Sequence, residues 1–580
     1  MSKTMEQKYK KMSQVEHILE LPDTYIGSIQ KSEMELYTYD NNDNMMIKKN
    51  ISIVPGLFKI YDEILVNAND QYVRLKNLKT AKNKVTTIKV NISDNEISVM
   101  NDGDGIDIQL HKEHNVYIPE LIFGHLLTST NYDKDEEKVT GGKNGYGAKL
   151  TNIYSLEFTV ETVDAYQNKK YIQTWTNNMD AKSKPKITKC STKPYTKITF
   201  KPDFKRFGMK QLDNDIKSLM TKRVYDMTAC TDRNVSVYLN NNKIDCKEFE
   251  KYVNYYIGTK SDKQRVYEKV SDRWEVAVSL SEDDKLEHVS FVNGIYTFKG
   301  GKHVDNVTNH IAKKLQVYAS TKGIKRKKYD VKVNHIKDNM WIFIKSVVVN
   351  PSFDSQTKEF LTTPASKFGS KCEVSDKFIE QLSKIGIIEK AMKLGEFKDN
   401  SNVSKTDGKK KSTIRVPKLD DANWAGTNKS NQCTLILTEG DSAKAFAIAG
   451  LSVIGRDKYG VFPLRGKMLN VRDCALKKAA ENTEINNIKK ILGLQQFNNG
   501  TNKKKEYKDT KELRYGSIMI LTDQDVDGSH IKGLFINFIN TYWPTLTKIP
   551  GFIISLATPI VKAKKGKTIK TFYSVSTFEK

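Results

Sequence analysis

The sequence predicts a multidomain α/β protein, and three observations support this fold class. The chain has 580 residues, which at roughly 100 to 200 residues per domain predicts about three to five domains. Hydrophobic residues make up 38% of the chain and charged residues 28%, which suits packed cores and excludes a disordered chain. A helical stripe of apolar residues and strand-like alternation also follow each other along the chain.

The first clear elements are a helix and two strands. Apolar residues recur at three- and four-residue spacing over 56–72, which predicts a helix with one stripe facing a core. Glu63, Asn67 and Asp70 fall together on a neighbouring stripe. Alternating residues over 85–99 then predict two strands joined by a short turn.

The charge of the chain is strongly positive and has two explanations. Lys and Arg number 95 against 69 Asp and Glu, so the formal net charge is +26. An excess of this size favours a polyanionic partner, with nucleic acid the leading candidate. However, only 12 of the 95 are Arg, and Asn and Ile are abundant, so A+T-rich coding could raise the charge equally well. Composition alone leaves both explanations open.

Several classes of protein are excluded by what the sequence contains. No apolar run approaches the roughly 20 residues that a membrane-spanning helix needs, and residues 1–17 contain no apolar stretch typical of a signal peptide. The six cysteines form no CxxC pair, so we expect reduced thiols rather than a disulfide framework or a zinc site. An intracellular protein that is not secreted is predicted.

Two glycine-rich segments have the composition of a nucleotide site. NDGDG at 101–105 follows a strand directly, where glycines allow close approach to a flat ligand and the Asn101 amide could contact an adenine edge. GGKNGYGAK at 141–149 contains four glycines in seven residues before a predicted helix start, which is typical of a loop that binds phosphates. Taken singly, each segment also fits a glycine-rich turn without a ligand.

Two carboxylate motifs lie about 85 residues apart, each after a short apolar strand. The strand at 434–437 leads to Glu439, and the strand at 518–521 leads to Asp523, Asp525 and Asp527 at alternate positions. Carboxylates of this kind suit Mg²⁺, which usually keeps waters and phosphate oxygens as its other ligands. A single acidic run would carry less weight, since acidic turns are common.

Taken in order, these segments resemble a known family. EILVNANDQ, NDGDGI, LLTSTNYD and GGKNGYGAK resemble the successive nucleotide-binding motifs of the GHKL ATPases. LIFGHLLTSTNYD with VTGGKNGYGAKLTNIYS is similar to the eukaryotic-type type IIA DNA topoisomerases in particular. The Gln-Thr-Lys triplet within 350–363 resembles the QTK loop of that family, and EGDSA, PLRGKMLNV and DQDVDG resemble its TOPRIM domain. The resemblance runs from about residue 8 to the last residue.

The resemblance implies a fold for each part of the chain. It implies a GHKL ATPase α/β sandwich with an N-terminal strap over 1–245 and a ribosomal-S5-like α/β transducer over 246–400. A linker over 401–431 and a Rossmann-like TOPRIM domain over 432–549 would follow. Residues 550–580 would begin the next, DNA-binding core region.

The resemblance also implies roles for individual residues in binding Mg-ATP. Glu63 would be the general base for the attacking water, and Asn67 the magnesium ligand. Asn101 stands where much of the superfamily has Asp, and it keeps a side-chain carbonyl for the adenine contact. Lys358 would meet the γ-phosphate, assisted by Gln356. The other residues expected around the ribose and phosphates are Ser129, Thr130, Asn131, Gly142, Lys143, Asn144, Gly145, Tyr146, Gly147, Ala148, Lys149 and Thr357.

For DNA cleavage, the resemblance implies a Mg²⁺ site made by Glu439, Asp523 and Asp525, with Asp527 as an auxiliary ligand. Arg465 and Lys467 would lie close to the cleaved backbone. The basic run at 322–330 would line the wall of a DNA cavity, because phosphate contacts do not depend on sequence. Its members are Lys325, Arg326, Lys327 and Lys328.

The family cleaves DNA with a tyrosine on a winged-helix domain that follows the TOPRIM domain, and these 580 residues end soon after it. We do not interpret Tyr515 as that nucleophile, because LRYGSIM matches the lead-in to the acidic strand. The winged-helix domain would be supplied in cis or by a separate chain. The expected partners are double-stranded DNA and a second copy that joins on ATP binding, in the nucleus, a viral replication site or a virion. The alternative is an ATP-dependent DNA clamp that does not cleave.

Overall fold

The computed structural model describes residues 11–128, 137–142, 145–321, 331–404, 406–472, 474, 476–498, 503–523, 525–556, 559–573 and 575–580. The chain divides into two compact units, residues 1–392 and 393–580. Both units combine helices with sheets, so the predicted α/β class is confirmed.

The first unit contains helices that cover its sheets. One of them, α11, continues across the division between the two units. These helices are α1 (Gln14–Glu20), α2 (Pro22–Tyr25), α3 (Pro55–Asn77), α4 (Ile118–Gly124), α5 (Gly147–Ile153), α6 (Asn214–Cys230), α7 (Phe249–Ile257), α8 (Lys302–Thr321), α9 (Val333–Lys337), α10 (Asp376–Leu382) and α11 (Ile387–Ser404).

In the described part of the first unit, the strands form three sheets. They are β1 (Ser32–Asp40), β2 (Met45–Ile53), β3 (Thr87–Ile92), β4 (Ile97–Asp102), β5 (Ser155–Asp164), β6 (Lys169–Thr176), β7 (Ala181–Lys182), β8 (Lys186–Lys189), β9 (Tyr195–Pro202), β10 (Ser236–Leu239), β11 (Asn242–Lys243), β12 (Arg265–Ser271), β13 (Trp274–Leu280), β14 (Glu287–Val292), β15 (Ile295–Tyr296) and β16 (Met340–Ser346). The nine-stranded sheet has the order β11-β10-β3-β4-β9-β5-β6-β7, with β8 on β6. The others are the β1-β2 hairpin and a five-stranded sheet, β12-β13-β16-β14-β15.

Helix α3 is the predicted helix, extended by several residues at its C-terminal end. It begins with a proline at its first position, where the missing N–H costs no intrahelical bond. Its apolar stripe, represented by Leu57, Ile60 and Ile64, is buried in the core that it shares with β3 and β4. The same helix also buries Glu63, which is therefore held inside the protein rather than on its surface.

The second unit is built on a parallel sheet. Its strands are β17 (Thr434–Glu439), β18 (Tyr459–Leu464), β19 (Ser517–Leu521), β20 (Ile553–Ser555), β21 (Val561–Lys565) and β22 (Thr568–Phe572). Its helices are α12 (Gly440–Ile454), α13 (Leu476–Glu481), α14 (Thr483–Leu492), α15 (Val526–Tyr542) and α16 (Val575–Glu579). The sheet order is β18-β17-β19-β20 with every pair parallel, and β21 and β22 form a separate antiparallel hairpin.

Parallel pairing places the ends of β17 and β19 at one edge of this sheet. Thr438 lies opposite Leu521, so the residues that follow each strand emerge side by side. Ligands of open parallel sheets bind at this carboxyl edge. Both carboxylate motifs identified in the sequence follow these two strands.

The segment expected to be a linker, 401–431, has ordered contacts within the second unit where the structure describes it. The N–H of Gly408 donates to the carbonyl of Leu494, and Arg514 donates to Asp421. The six cysteines are free thiols. Among the described residues, no helix is long and apolar enough to cross a membrane.

Candidate nucleotide and metal sites

A cavity of about 600 Å³ opens in the first unit between α3, β4, the glycine-rich segment and the loop that carries the Gln-Thr-Lys triplet. Its volume lies within the roughly 300 to 1,000 Å³ of small-molecule sites. The predicted site residues that line it are Glu63, Asn67, Asn101, Gly142, Gly145, Tyr146, Gly147, Ala148, Lys149, Gln356 and Lys358. The predicted residues Ser129, Thr130, Asn131, Lys143 and Asn144 lie outside the described part of the chain.

Two lysines hold the Glu63 carboxylate. The Nζ atom of Lys59 lies 2.6 Å from Glu63 Oε1, and the Nζ atom of Lys358 lies 3.1 Å from the same oxygen. All three side chains are buried. Burial alone would raise the pKa of Glu63, but the charges and hydrogen bonds of Lys358 and Lys59 outweigh it and lower the pKa to about 2.

The pKa values of Lys59 and Lys358 shift in opposite directions. Burial lowers the pKa of Lys59, although Glu63 acts against this. For Lys358, burial is outweighed by the Glu63 charge, so its pKa is raised. Asp70 also raises the pKa of Lys358, so the two ammonium groups face two carboxylates. A lysine that lines a cavity provides the charge that binds a phosphate group, so Lys358 suits this ligand.

Lys358 reaches Glu63 from a strained loop. Its φ angle is +62°, in the left-handed region that side chains other than glycine rarely adopt. The neighbouring Thr357 does not line the cavity, and its hydroxyl contacts Ser355 instead. The N–H of Lys358 donates to the carbonyl of Ser355 at 3.2 Å, so the triplet forms a turn from which Gln356 and Lys358 line the cavity. The contact of Thr357 with a nucleotide stays a prediction.

Asp70 fixes the start of the glycine-rich loop. Its two carboxylate oxygens accept hydrogen bonds from the N–H groups of Gly141 and Gly142, each at 2.7 Å. Burial raises the pKa of Asp70 to about 6, although these two hydrogen bonds act against the rise. The Asp70 carboxylate therefore loses its contact with water and positions the backbone of the loop instead.

The same loop is also held from the five-stranded sheet side. The N–H of Asn350 donates to the carbonyl of Lys138 at 2.9 Å, and Asn293 Nδ2 donates to the carbonyl of Thr140 at 3.3 Å. Segments that follow β14 and β16 thus contact the segment that leads into the cavity. The residues that lead into the glycine-rich loop are therefore held by segments that follow strands of the five-stranded sheet, while Asp70 on α3 holds its first two N–H groups.

Glycine is required where helix α5 meets Glu63. A Cβ atom at Gly147 would lie only 2.0 Å from Glu63 Oε2. The carboxylate and the start of this helix can be adjacent only because no side chain intervenes. This close approach of the backbone, the cavity volume and the ammonium group of Lys358 in the lining together fit a phosphate-bearing ligand.

Two predicted residues have structural partners besides their place in the cavity. The ammonium of Lys149 donates to the carbonyls of Thr128 and Gly145, each at 2.6 Å, and burial lowers its pKa to about 8. Asn101 is buried, and its Nδ2 donates to the carbonyl of Asp102. The adenine contact through its side-chain carbonyl stays a prediction.

In the second unit, Glu439 ends β17 at the carboxyl edge of the parallel sheet. Its Oε2 atom is shielded from solvent and has no hydrogen-bond partner among the described residues. A buried carboxylate oxygen without a partner is costly, and a cation is the partner that it lacks. The chemistry of this position fits Mg²⁺.

Asp523 and Asp525 follow β19 at the same edge, and both are exposed. Asp525 also caps helix α15, because its Oδ1 accepts a hydrogen bond from the N–H of Gly528 at 2.7 Å. In the described part of the chain, the one group of three such ligands with atoms within 4.8 Å of one another is His111, Glu113 and His114. Glu439, Asp523 and Asp525 are therefore neighbours along the sheet edge without forming a closed cluster.

The predicted DNA-contacting residues differ in their surroundings. Lys467 pairs with Asp527 at 2.9 Å, so two residues predicted for different roles neutralise each other. Arg465 is exposed, and its backbone N–H donates to Glu484 Oε1. The basic run Lys325 to Lys328 lies outside the described residues.

The sequence interpretation did not assign functions to Lys59 and Asp70. A usable signal was present for both. Lys59 precedes Glu63 by four positions, the spacing at which helical side chains meet. Asp70 shares the helical stripe of Glu63 and Asn67. Tyr515 is buried and hydrogen-bonded to Asp421, which agrees with excluding it as a nucleophile.

Two family descriptions match parts of the chain. The description "DNA gyrase B" matches residues 236–407, and "Toprim domain" matches residues 434–556. The first unit is also similar to solved structures. It matches the ATPase region of Saccharomyces cerevisiae topoisomerase II with 47% identity and a TM-score of 0.61, covering 67% of this chain and 99% of that one. The ATPase and transducer domains of Balamuthia mandrillaris topoisomerase II match with 42% identity and a TM-score of 0.63, over 68% and 99% of the two chains.

These matches define a GHKL-type ATPase with a transducer, followed by a Toprim domain. Whole-chain relatives agree, since the DNA topoisomerase 2 of Pisum sativum is 49% identical over 100% of this chain and 39% of its own length. That of Acanthamoeba polyphaga mimivirus is 50% identical over 100% of this chain and 45% of its own length. The chain belongs to the eukaryotic-type type IIA DNA topoisomerase family. It spans about two fifths of the length of these relatives.

Proposed function

We propose that this chain is the ATP-hydrolysing and metal-binding part of a DNA topoisomerase that relaxes, decatenates and unknots duplex DNA by double-strand passage. The observation that carries the proposal is the contact of Lys358 with Glu63 inside the glycine-walled cavity. Residues from two distant parts of the chain meet there, and each has the chemistry that ATP hydrolysis requires.

We assign the 600 Å³ cavity to ATP. Asn101 would accept a hydrogen bond from the adenine, and the glycine-rich loop around Gly142 and Gly147 would approach the phosphates. The positive charge of Lys358 would face the γ-phosphate, which carries the charge that develops during transfer. Gln356 would orient the same group from the loop.

Glu63 would accept the proton of the attacking water at a carboxylate oxygen. Its pKa of about 2 in this structure reflects two lysines on one oxygen, and a base so depressed is weak. When Lys358 turns to a phosphate, Glu63 loses one of these cations and becomes a stronger base. Lys59 would then keep the carboxylate oriented.

The residues that would hold the magnesium of the nucleotide include Asn67, which lines the cavity. When bound, Mg²⁺ neutralises charge on the phosphate oxygens. Asp70 acts without the metal, because it positions the backbone of Gly141 and Gly142.

For cleavage, we propose that Glu439, Asp523 and Asp525 hold Mg²⁺, with Asp527 as an auxiliary ligand. The metal would stabilise charge on the oxygens of the cleaved phosphodiester. Arg465 would contact the backbone directly, and Lys467 would do so after leaving Asp527. The attacking tyrosine would come from a winged-helix domain, in cis or in a separate chain.

The alternative of a clamp that does not cleave is less favoured. A clamp needs the ATPase but has no use for a metal ligand at Glu439, whose Oε2 atom has no hydrogen-bond partner in the described part of the chain, or for the Toprim match over 434–556. The partners that we propose are double-stranded DNA and a second copy of the chain on ATP binding. The eukaryotic and viral relatives support a place in the nucleus, a viral replication site or a virion.

Two measurements test the proposal together. DNA should stimulate ATP hydrolysis by the chain, and stimulation should fall steeply as salt rises, since phosphate contacts release counterions. A non-hydrolysable ATP analogue should convert a monomer into a dimer in light scattering. The absence of ATP hydrolysis in the presence of DNA would refute the proposed ATPase activity. The same molecular mass in every nucleotide state would refute the proposed dimerisation.

A further inference from the structure

A tight hairpin at the rim of the cavity carries two histidines and a glutamate. The isolated bridge between Leu110 and Tyr117 closes the hairpin. The N–H of His111 donates to the carbonyl of Val116, and the N–H of Asn115 donates back to the carbonyl of His111, each at 2.8 Å. These bonds fix the backbone from which the three side chains project.

The side chains bring three metal-binding groups together. Ligand atoms of His111, Glu113 and His114 all lie within 4.8 Å of one another. The two imidazole rings are stacked, with centroids 4.8 Å apart and planes inclined by 27°. All three residues lie within four positions of the sequence, so only a short piece of backbone loses conformational entropy when they are held together.

One imidazole nitrogen of the cluster, Nδ1 of His111, lacks a hydrogen-bond partner among the described residues. This atom is also shielded from solvent. A shielded ring nitrogen usually has a partner, because burying a polar atom without one is costly. His114 and Glu113 are exposed, so the cluster opens to ions from solution.

We propose that His111, Glu113 and His114 bind a divalent transition-metal ion, with Zn²⁺ the best match. Imidazole nitrogens with one carboxylate are the ligand set that Zn²⁺ uses when it keeps an open position for water. Mg²⁺ prefers oxygen ligands and octahedral geometry, so it does not compete for this set. The site is separate from the Mg²⁺ positions proposed above.

A metal ion bound at the hairpin would affect ligand binding in the cavity, because the hairpin borders it. His111 lines the cavity directly, whereas the rest of the hairpin lies outside it. A metal ion at the rim would fix the His111 ring and add positive charge where an anionic ligand enters. Occupancy of the site should therefore increase the affinity for an anionic ligand of the cavity, with inorganic triphosphate as the simplest probe.

Calorimetric titration of the full chain with Zn²⁺ in millimolar Mg²⁺ tests the proposal. Magnesium at this concentration would fill the proposed carboxylate sites, and zinc bound by cysteine thiols would contribute equally to every variant. We expect one Zn²⁺ site that weakens at least tenfold in His114→Gln and in Glu113→Gln. Both residues are exposed, so neither change threatens the fold. Lys112→Gln changes the same turn without removing a metal ligand and should bind Zn²⁺ as the natural chain does.

The result that overturns the proposal is equally direct. Equal Zn²⁺ affinity in the natural chain and in His114→Gln, or no such site in the natural chain, would remove the metal site. Tighter binding of inorganic triphosphate with Zn²⁺, lost in His114→Gln, would support the link to the cavity. Unchanged triphosphate binding would remove that link. These outcomes do not depend on ATP hydrolysis, so they stand apart from the proposed function.

Discussion

The Nζ atom of Lys358 lies 3.1 Å from Oε1 of Glu63, although the two residues are 295 positions apart in the sequence. The proposed phosphate sensor and the proposed base therefore neutralise each other in this structure. One ligand that attracts Lys358 would free Glu63 by the same movement. Hydrolysis would then begin only when the γ-phosphate is in place.

Glu63→Gln should abolish hydrolysis and leave ATP binding nearly intact. The amide keeps the shape of the carboxylate but cannot accept a proton, so we expect kcat to fall by about 10²- to 10⁴-fold. Steady-state hydrolysis and calorimetric binding of ATP measure the two effects. A variant that hydrolyses ATP at the normal rate would remove Glu63 from this role.

Lys358→Ala should slow hydrolysis and weaken the preference for ATP over ADP. Removing one preorganised charge from a developing anion typically costs about 10²- to 10³-fold in rate. The dissociation constants of the two nucleotides give the preference. Thr357→Ala is the matched control, because it alters the same loop outside the cavity. If Lys358→Ala keeps the same preference for ATP over ADP, the loop does not contact the γ-phosphate.

Lys59→Met should shift the pH dependence of hydrolysis. Without this ammonium, the pKa of Glu63 in the nucleotide complex should rise by about one unit or more. The acid limb of the kcat profile should then move to higher pH by a similar amount. Lys59→Arg should restore the limb, because it restores the charge. If Lys59 had only a structural role, Lys59→Met would lower kcat at every pH and the acid limb of the profile would not move.

Asp70→Asn should change how stability depends on pH. The folded pKa of about 6 lies above the ordinary value of 3.8, so the folded chain retains a proton that the unfolded chain has lost. Stability from this group is complete below pH 3.8 and falls as pH rises through 6. The loss is at most about 3 kcal/mol. Urea unfolding without nucleotide should show this decline in the natural chain and a smaller one in Asp70→Asn.

Asp523→Ala should block DNA cleavage without affecting ATP hydrolysis. The change removes a ligand from the second unit, and the proposed ATP site lies in the first. Labelled DNA on a denaturing gel detects the covalent product when this chain is combined with a winged-helix portion of the family. The 580-residue chain alone should give no such product. An adduct formed by the chain alone would show that one of its own tyrosines attacks DNA.

Local patterns were sufficient to predict the elements that carry the site. The stripe from Leu57 to Ala68 predicted helix α3, and alternation predicted β3 and β4, because side-chain periodicity is fixed by backbone geometry. The carboxylates after β17 and β19 were predicted at strand ends, and parallel pairing places them at one edge.

Contacts between distant segments could not be predicted in this way. Nothing in the local pattern shows that Lys358 pairs with Glu63, or that Lys467 pairs with Asp527 rather than facing solvent. Such pairs depend on packing between elements. The contact of the Thr357 hydroxyl with Ser355 depends on the turn of its loop, which sequence spacing does not determine. The functional roles of the residues that line the cavity stay predictions.

The hydrogen bonds from Asn293 and Asn350 to the carbonyls of Thr140 and Lys138 bear on how the first unit unfolds. They hold the segment that leads into Gly141 and Gly142, whose N–H groups donate to Asp70 on α3, so these two amides should exchange slowly with deuterium while both sets of contacts persist. Residues 1–245 expressed alone should therefore show fast exchange at Gly141 and Gly142 even where the large sheet stays protected. Adding residues 246–400 as a separate polypeptide should slow that exchange, so the nucleotide loop would report the docking of one half on the other.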